Sequence, residues 1–463
     1  MKVARTLRKL QQPRSLIDFV RQFLTPIVWK QARQAIPSRR ALPRWDLQPL
    51  VLIMIAMTWA AGDSQFERFE IARGFYVACY ASRKRPGRTI EGFHKALSRI
   101  PMRPLRALAA GVRQRIRARL GSRLLVDGLV PMGCDGSRIE CPRTTELEAR
   151  LGQSGNNDSA PSVWVTAIVH LSTGLLWSWQ LGPGNAAEQL HLRRLLKTLW
   201  GQVILVCDAA YMGYELALDI VGNGQSFLFR MSSKVYLYTL ENVPLENWSE
   251  GLVLYWPEYA QKKGRPPIQC RLIRVPGVPQ GKGKGKGKAK GKSKRDVWLL
   301  TNILDSARLS LATASKFYRW RWRNEGLFRT YKRTIKKMKL SSRSLRLVHR
   351  EAELSLLATQ ILLAHADLAL RPAEQATVGD PVISPRKILI EIRREMKKAP
   401  KQRARSYRDR LGGCRASDRK QTSAKATREW PRRKPHKPPK PPILRTLSKE
   451  QKTLLSQHIG ATG

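Results

Sequence analysis

The spacing of apolar residues changes character along the chain. Up to about residue 120 it has a helical period. In "SLIDFVRQFLTPIVWKQA", "FERFEIARGFYVACYA" and "TIEGFHKALSRI" apolar side chains recur three and four positions apart, which gathers them on one helix face. "LQPLVLIMIAMTWA" is apolar on all sides, as a helix buried all round would be, and its apolar run is too short to span a bilayer. These segments predict an all-helical N-terminal region over residues 1–120. "SRKRPGR" before the last of them permits a helix-turn-helix with Thr89 near the start of the recognition helix and Glu91 and His94 following. A plain helical bundle with a basic loop fits equally well.

From residue 121 to 232 the period becomes that of strands. "LLVDGLVPMGCDGSRIEC" predicts strand, turn and strand, and "SVWVTAIVHLSTGLLWSWQLGPG" a hairpin turning at Ser172–Gly174. Next come the helix "AAEQLHLRRLLKTLW", the wholly apolar strand "QVILVCDAAY", the helix "YELALDIVGNG" and the strand "SFLFRMS". The order β-β-β-α-β-α-β, with a buried strand of parallel type, defines an α/β fold. Ligand sites in such folds gather at the carboxyl ends of strands. Asp135 and Asp208 are expected at ends of that kind.

Residues 233–305 return to short strands, "KVYLYTL", "GLVLYWP", "CRLIRVPG" and "DVWLLTNI", and form a β-rich insertion. Within it "GKGKGKGKAKGKSK", residues 281–294, cannot form a core and reads as a flexible cationic loop. Helices are expected again over 306–375, a long one at about 308–338 and another at about 343–370. Residues 398–463, rich in Lys, Arg and Pro, predict a basic and largely disordered tail.

Charge changes the picture most. The 463 residues carry 86 Lys and Arg against 34 Asp and Glu, a net charge of +52. A chain so self-repelling is suited to a polyanionic partner, nucleic acid first and an anionic membrane surface second. Hydrophobic residues make up 42%, which excludes disorder throughout. The first residues show no signal peptide, and the six cysteines have no CxxC or Cys/His zinc spacing and read as reduced core thiols. A soluble, intracellular protein facing nucleic acid is expected.

One stretch concentrates the candidate chemistry. "FYRWRWRNEGLFRTYK", residues 317–332, holds a single glutamate among arginines, lysines and aromatic rings. On a continuous helix Tyr318, Arg321, Glu325 and Lys332 fall within about 60° of one another. The bland alternative pairs Glu325 with Arg321 and Arg329, worth a few tenths of a kcal/mol. Each aspartate likewise has a turn-capping alternative. Together, Asp135, Asp208 and Glu325 would make an oxygen-rich pocket for Mg²⁺ or Mn²⁺. Two such ions clamp the attacking and leaving oxygens of a phosphodiester displacement.

Tyr-x2-Arg-x3-Glu-x6-Lys at 318, 321, 325 and 332 resembles the YREK motif of DDE transposases of the insertion-sequence-4 type. "MGCDGSR" and "VCDAAYMG" are similar to that family's two aspartate segments, and "WLLTNI" to the strand closing its inserted β domain. The resemblance spans roughly residues 125–340. It implies an RNase H-like catalytic core interrupted by the β-rich insertion, with Asp135, Asp208 and Glu325 as catalytic ligands of two Mg²⁺ or Mn²⁺ ions. Tyr318, Arg321 and Lys332 would contact phosphates of the transposon end, and Arg329 joins this DNA-binding set. Asp127 in "LLVDGLV" rivals Asp135 as the first aspartate, but "DGSRIECP" continues into a second strand and favours Asp135. Trp298 and Trp256 are candidates for stacking a flipped base, against a core role.

The expected function is that of a DNA transposase acting on transposon ends and target double-stranded DNA, as a homodimer, without ATP or membrane. Such an enzyme of bacterial type would be cytoplasmic and associated with the nucleoid. The alternatives are a nuclease on the same core without strand transfer and a catalytically decayed DNA-binding protein.

Overall fold

The N-terminal helices form where a capping residue precedes an apolar run. The computed structural model describes residues 15–37, 45–80, 85–152, 159–241, 243–277, 296–370, 384–397, 407–414 and 441–460. Ser15 caps Leu16–Phe23, Thr25 caps Pro26–Gln34, Asp46 caps Leu47–Trp59, Ser64 caps Gln65–Cys79 and Thr89 caps Ile90–Arg99. Each cap accepts a backbone N–H that the first turn leaves without an intrahelical partner. A sixth helix, Met102–Leu120, follows. The 281–294 loop lies outside the described residues.

The chain divides into two compact units. The first comprises Met1–Leu124, Gly136–Ala187 and Arg323–Ser417, the second Leu125–Asp135, Glu188–Trp322 and Asp418–Gly463.

The first unit is built around the helix Leu345–Leu370. Every residue from Glu351 to His365 is buried, because this helix packs against Leu47–Trp59, Ile90–Arg99 and Met102–Leu120 and against a strand. The Trp59 indole N–H donates to the Ala358 carbonyl at 3.2 Å. Leu47–Trp59, apolar all round, is thus the buried core helix its composition predicts. The strands here are the second half of β1 (Val130–Glu140), β2 (Ser162–His170) and β3 (Leu175–Pro183). β2 and β3 form the expected antiparallel hairpin. Gly174, at a φ of +74° that glycine adopts without strain, donates its N–H to the His170 carbonyl.

In the second unit, the first half of β1 pairs in parallel with β4 (Val203–Cys207), and β4 in parallel with β5 (Ser226–Arg230). Residues 233–305 supply β6 (Tyr236–Thr239), β7 (Glu250–Tyr255), β8 (Ile268–Val275) and β9 (Val297–Thr301). β9 returns antiparallel between β8 and β5, so that the sheet is continuous from β4 to β8. The architecture is mixed α/β.

Three expectations need correction. β1 is one strand of eleven residues, so Asp135 stands in mid-strand, where burial ends, and not at a turn. The 308–338 helix is broken. Leu311–Trp320 and Arg323–Arg329 are separated at Arg321 and Trp322, and Thr330–Thr334 is a wider π-turn. Arg323 commits its guanidinium to the Leu171 and Ser172 carbonyls of the β2–β3 turn, which fixes where the second helical segment begins. Nor is the tail without structure throughout. Tyr407–Gly412 is a short helix, β10 (Ile443–Thr446) pairs in parallel with β6, and Lys449–Gly460 is helical. β6 offers an edge of unpaired backbone groups, and pairing satisfies it where composition alone forecast disorder.

Burial pushes the Glu353 carboxyl up to about 7, against the pull of Arg106. The folded state therefore holds a proton that the unfolded chain releases near 4.5, and stability falls as pH rises through this window. Glu353→Gln should be more stable than wild type at pH 8, by on the order of 3 kcal/mol, and indistinguishable from it at pH 4. Urea midpoints at the two pH values measure the difference.

All six cysteines are free and five are buried. Among the described residues no helix is long and apolar enough to cross a membrane.

Candidate functional site

Asp135 and Asp208 owe their neighbourhood to strand register. Val130 to Gly133 face Val203 to Val206 in parallel. The pairing runs to Gly133 and Val206, two residues beyond these stand Asp135 and Asp208, and both carboxylates act on the buried Cys207 thiol. Alternation places both on the face of Gly133 and Val206, while Cys134 and Cys207, both buried, take the other face. Burial holds both thiols protonated, and Asp135 acts on each of them. The aspartates are therefore the first residues of β1 and β4 to leave the core on that side.

Asp208 also does the bland job expected of a residue at a strand end. It caps the turn Ala209–Tyr211, its Oδ1 accepting from the Ala209 N–H at 2.6 Å. The rest of the carboxylate faces cations. Arg230 Nη1 lies 3.9 Å from Oδ1 and Arg321 Nη1 3.7 Å from Oδ2. Arg321 is only 8% exposed, and its Nε has no hydrogen-bond partner among the described residues. Its guanidinium lies 5.5 Å from the Tyr318 ring centre and 5.3 Å from that of Trp322. Burial pushes the Tyr318 hydroxyl up, so it remains a hydrogen-bond donor at neutral pH. Sequence reading passed over Arg230 and Trp322. Arg230 lies nearly a hundred residues from Arg321 in sequence, but Trp322 adjoins the motif and is 61% exposed.

The rival Asp127 has a different use. It sits at a φ of +51°, which aspartate tolerates better than most residues. Its Oδ2 accepts from Thr313 Oγ1 at 2.8 Å and Lys316 Nζ at 3.3 Å. Those bonds, the Thr313 one foremost, hold its carboxyl below the usual aspartate range. Asp127 tethers the first turns of Leu311–Trp320, the helix that carries Tyr318. Trp298 and Trp256 are both buried. Trp298 lies 8% exposed in β9 with the Arg274 guanidinium 5.7 Å from its ring centre. Trp256 donates its indole N–H to the Arg265 carbonyl at 2.7 Å. Neither offers an open ring face for a base. Trp298 lies in a strand buried at four consecutive positions, and Trp256 follows the end of β7.

In the first unit, Glu325 and Arg329 are exposed on Arg323–Arg329, and Lys332 is half-buried in the π-turn. Burial lowers the Lys332 ammonium and Glu140 partly restores it. Among the described residues no three His, Cys, Asp or Glu side chains are grouped so as to hold a metal ion. Paired aspartates, half-exposed and ringed by arginine, are nonetheless the hard oxygen donors that Mg²⁺ and Mn²⁺ take. Fixed cations beside such donors suit an anionic substrate.

Residues 134–361 match the family model described as the transposase DDE domain. The matched stretch includes Asp135, Asp208 and the Tyr318–Lys332 segment. No curated protein matches the sequence. Among solved structures, the chain is similar to piggyBac transposase in the cryo-EM structure of its synaptic complex with hairpin DNA. The identity is 13% over 92% of this chain and 90% of that one, with a TM-score of 0.43, a degree of likeness that fixes neither fold nor function.

Proposed function

We propose that the protein is a DNA transposase of the insertion-sequence-4 type. It binds the inverted repeats at transposon ends, cleaves DNA there with the help of divalent cations, and joins the freed 3′-hydroxyl to target DNA. The observation that carries this reading is the placing of Asp135 and Asp208 two residues beyond the last paired residues of β1 and β4, inside the segment matched to the DDE domain. Glu325 is read as the third carboxylate, and together the three would hold Mg²⁺ or Mn²⁺, two ions in the full reading. When bound, such ions supply charge stabilisation to the attacking and leaving oxygens.

The chain's own residues bind and orient the DNA. Arg321 and Arg230, close to Asp208, turn their remaining N–H groups to phosphate oxygens, which the planar guanidinium matches. Tyr318 donates its hydroxyl proton to the same backbone. Lys332 places a point charge at the scissile phosphate, and Arg329 lies one turn before it. In cleavage a water oxygen forms a bond to phosphorus, the bond from phosphorus to O3′ breaks, and the departing oxygen takes a proton from solvent. Strand transfer repeats the exchange with the 3′-hydroxyl as attacker. One phosphodiester is made for each one broken, so no ATP is consumed.

The fold behind this chemistry is an RNase H-like core interrupted by residues 233–305, a reading supported by β9 pairing with both β5 and β8. The helices of residues 1–120 are the DNA-binding region, two copies pair the ends as a homodimer, and the protein works at the nucleoid.

The test is strand transfer by the purified protein on a labelled duplex carrying the element's own end, with Mg²⁺ or Mn²⁺. Joined product is expected. Cleavage without joining would make it a nuclease, and binding alone a DNA-binding protein.

A further inference from the structure

Glu351 has no part in the chemistry above, yet it is among the most heavily engaged carboxylates in the first unit. It lies on Leu345–Leu370 at 2% exposure. Lys337 Nζ donates to Oε1 at 2.5 Å, and Oε2 accepts the backbone N–H groups of Ser341 at 3.0 Å and Ser342 at 2.8 Å. Burial alone would raise this carboxyl, but Lys337 and the other donors prevail and hold it below the usual glutamate range. A buried ion pair is seldom the most stable way to fill a core, and its better attested use is to specify one geometry.

The geometry specified here is that of the turn carrying Lys332. The π-turn Thr330–Thr334 closes with the Ile335 N–H on the Thr330 carbonyl at 3.0 Å and the Lys337 N–H on the Tyr331 carbonyl at 3.1 Å. Lys336 then takes a φ of +62°, unfavourable for a lysine, and ends the helix. Beyond it the chain is held on one side by β1, where Glu140 donates its N–H to Met338 and accepts from Leu340. The Glu351 carboxylate holds the other side, and the Tyr331 hydroxyl meets Ser355 Oγ on the same helix at 2.7 Å. π-turns cost hydrogen-bond quality and gather at functional sites. This one persists because its exit is clamped.

We propose that Glu351 is a positioning residue for Lys332. Through Lys337 and the Ser341–Ser342 amides it locks the turn that aims the Lys332 ammonium at a DNA phosphate. The inference rests on the reading of Lys332 as a phosphate contact.

The test is a double-mutant cycle in strand transfer with Lys332→Met, Glu351→Gln and the two combined, with end binding measured against salt. If Glu351 acts through Lys332, the combined variant is no slower than Lys332→Met. Both single variants then lose about one unit of salt slope in end binding. A Lys337→Met/Glu351→Leu variant removes both charges together and guards against simple misfolding. It is expected to recover the thermal midpoint lost in Glu351→Gln while strand transfer and salt slope stay low. Losses that multiply across the cycle overturn the inference while leaving the Lys332 contact standing. So does a folded Lys337→Met/Glu351→Leu variant with wild-type transfer. A Lys332→Met variant with wild-type binding and transfer removes the contact itself, and the inference with it.

Discussion

Glu325→Gln is expected to bind transposon-end DNA as the wild type does and to lose strand transfer by about 10³-fold or more. That factor equals about 4 kcal/mol of transition-state stabilisation. Glutamine keeps the size of the side chain and removes its charge. Glu325 is exposed, so the change carries little cost to the fold. Asp135→Asn and Asp208→Asn should be equally inactive, because each removes a charged oxygen donor that hard divalent cations require. Asp208→Asn also weakens the cap on Ala209–Tyr211 and frees Arg230 and Arg321. Its DNA affinity should hold or rise while its activity falls. Asp127→Asn is the discriminating control. Its carboxylate is half-exposed and tethers Thr313 and Lys316, a role worth at most about 1 kcal/mol. It should retain most of its strand transfer. Joined product from Asp135→Asn together with none from Asp127→Asn would reverse the assignment of the first aspartate. Full activity in Glu325→Gln would remove the third carboxylate from the mechanism.

The second large effect is on affinity. With a net charge of +52, neutralising about six to ten phosphates should make binding fall about 10³–10⁵-fold between 50 and 200 mM salt. The corresponding log–log slope is about −5 to −9. Fluorescence anisotropy across a salt series measures it. Deleting residues 281–294, with seven lysines, should make the slope shallower without changing preference for the transposon end, because a Gly-Lys repeat meets phosphates and reads no bases. A slope near zero would mean that the excess charge is not spent on DNA.

The residues expected to act and the elements that bear them were largely readable from the chain, because both are local properties. A period of two or of 3.6 is visible within ten residues. On that basis β2, β3, β4 and the insertion strands stand where the sequence predicts them, and Leu47–Trp59 is buried all round. Asp208 follows five apolar residues and had to emerge where β4 ends. What the sequence could not supply is anything set by a partner far along the chain. Register between β1 and β4 joins Gly133 to Val206 across some seventy residues, and so puts Asp135 and Asp208 both within influence of the Cys207 thiol. The break at Arg321–Trp322 adjoins an Arg323 anchored to a turn 150 residues away, and β10 is a strand only because β6 offers an edge. Trp298 had the chemistry of a stacking platform, and packing turned it inward. Lys337 and Glu351 read as two charges among many, until the fold buried them together. Local pattern sets which atoms are available, and long-range packing decides which of them meet. The candidate carboxylates could be named from the sequence, and the buried Lys337–Glu351 ion pair could not.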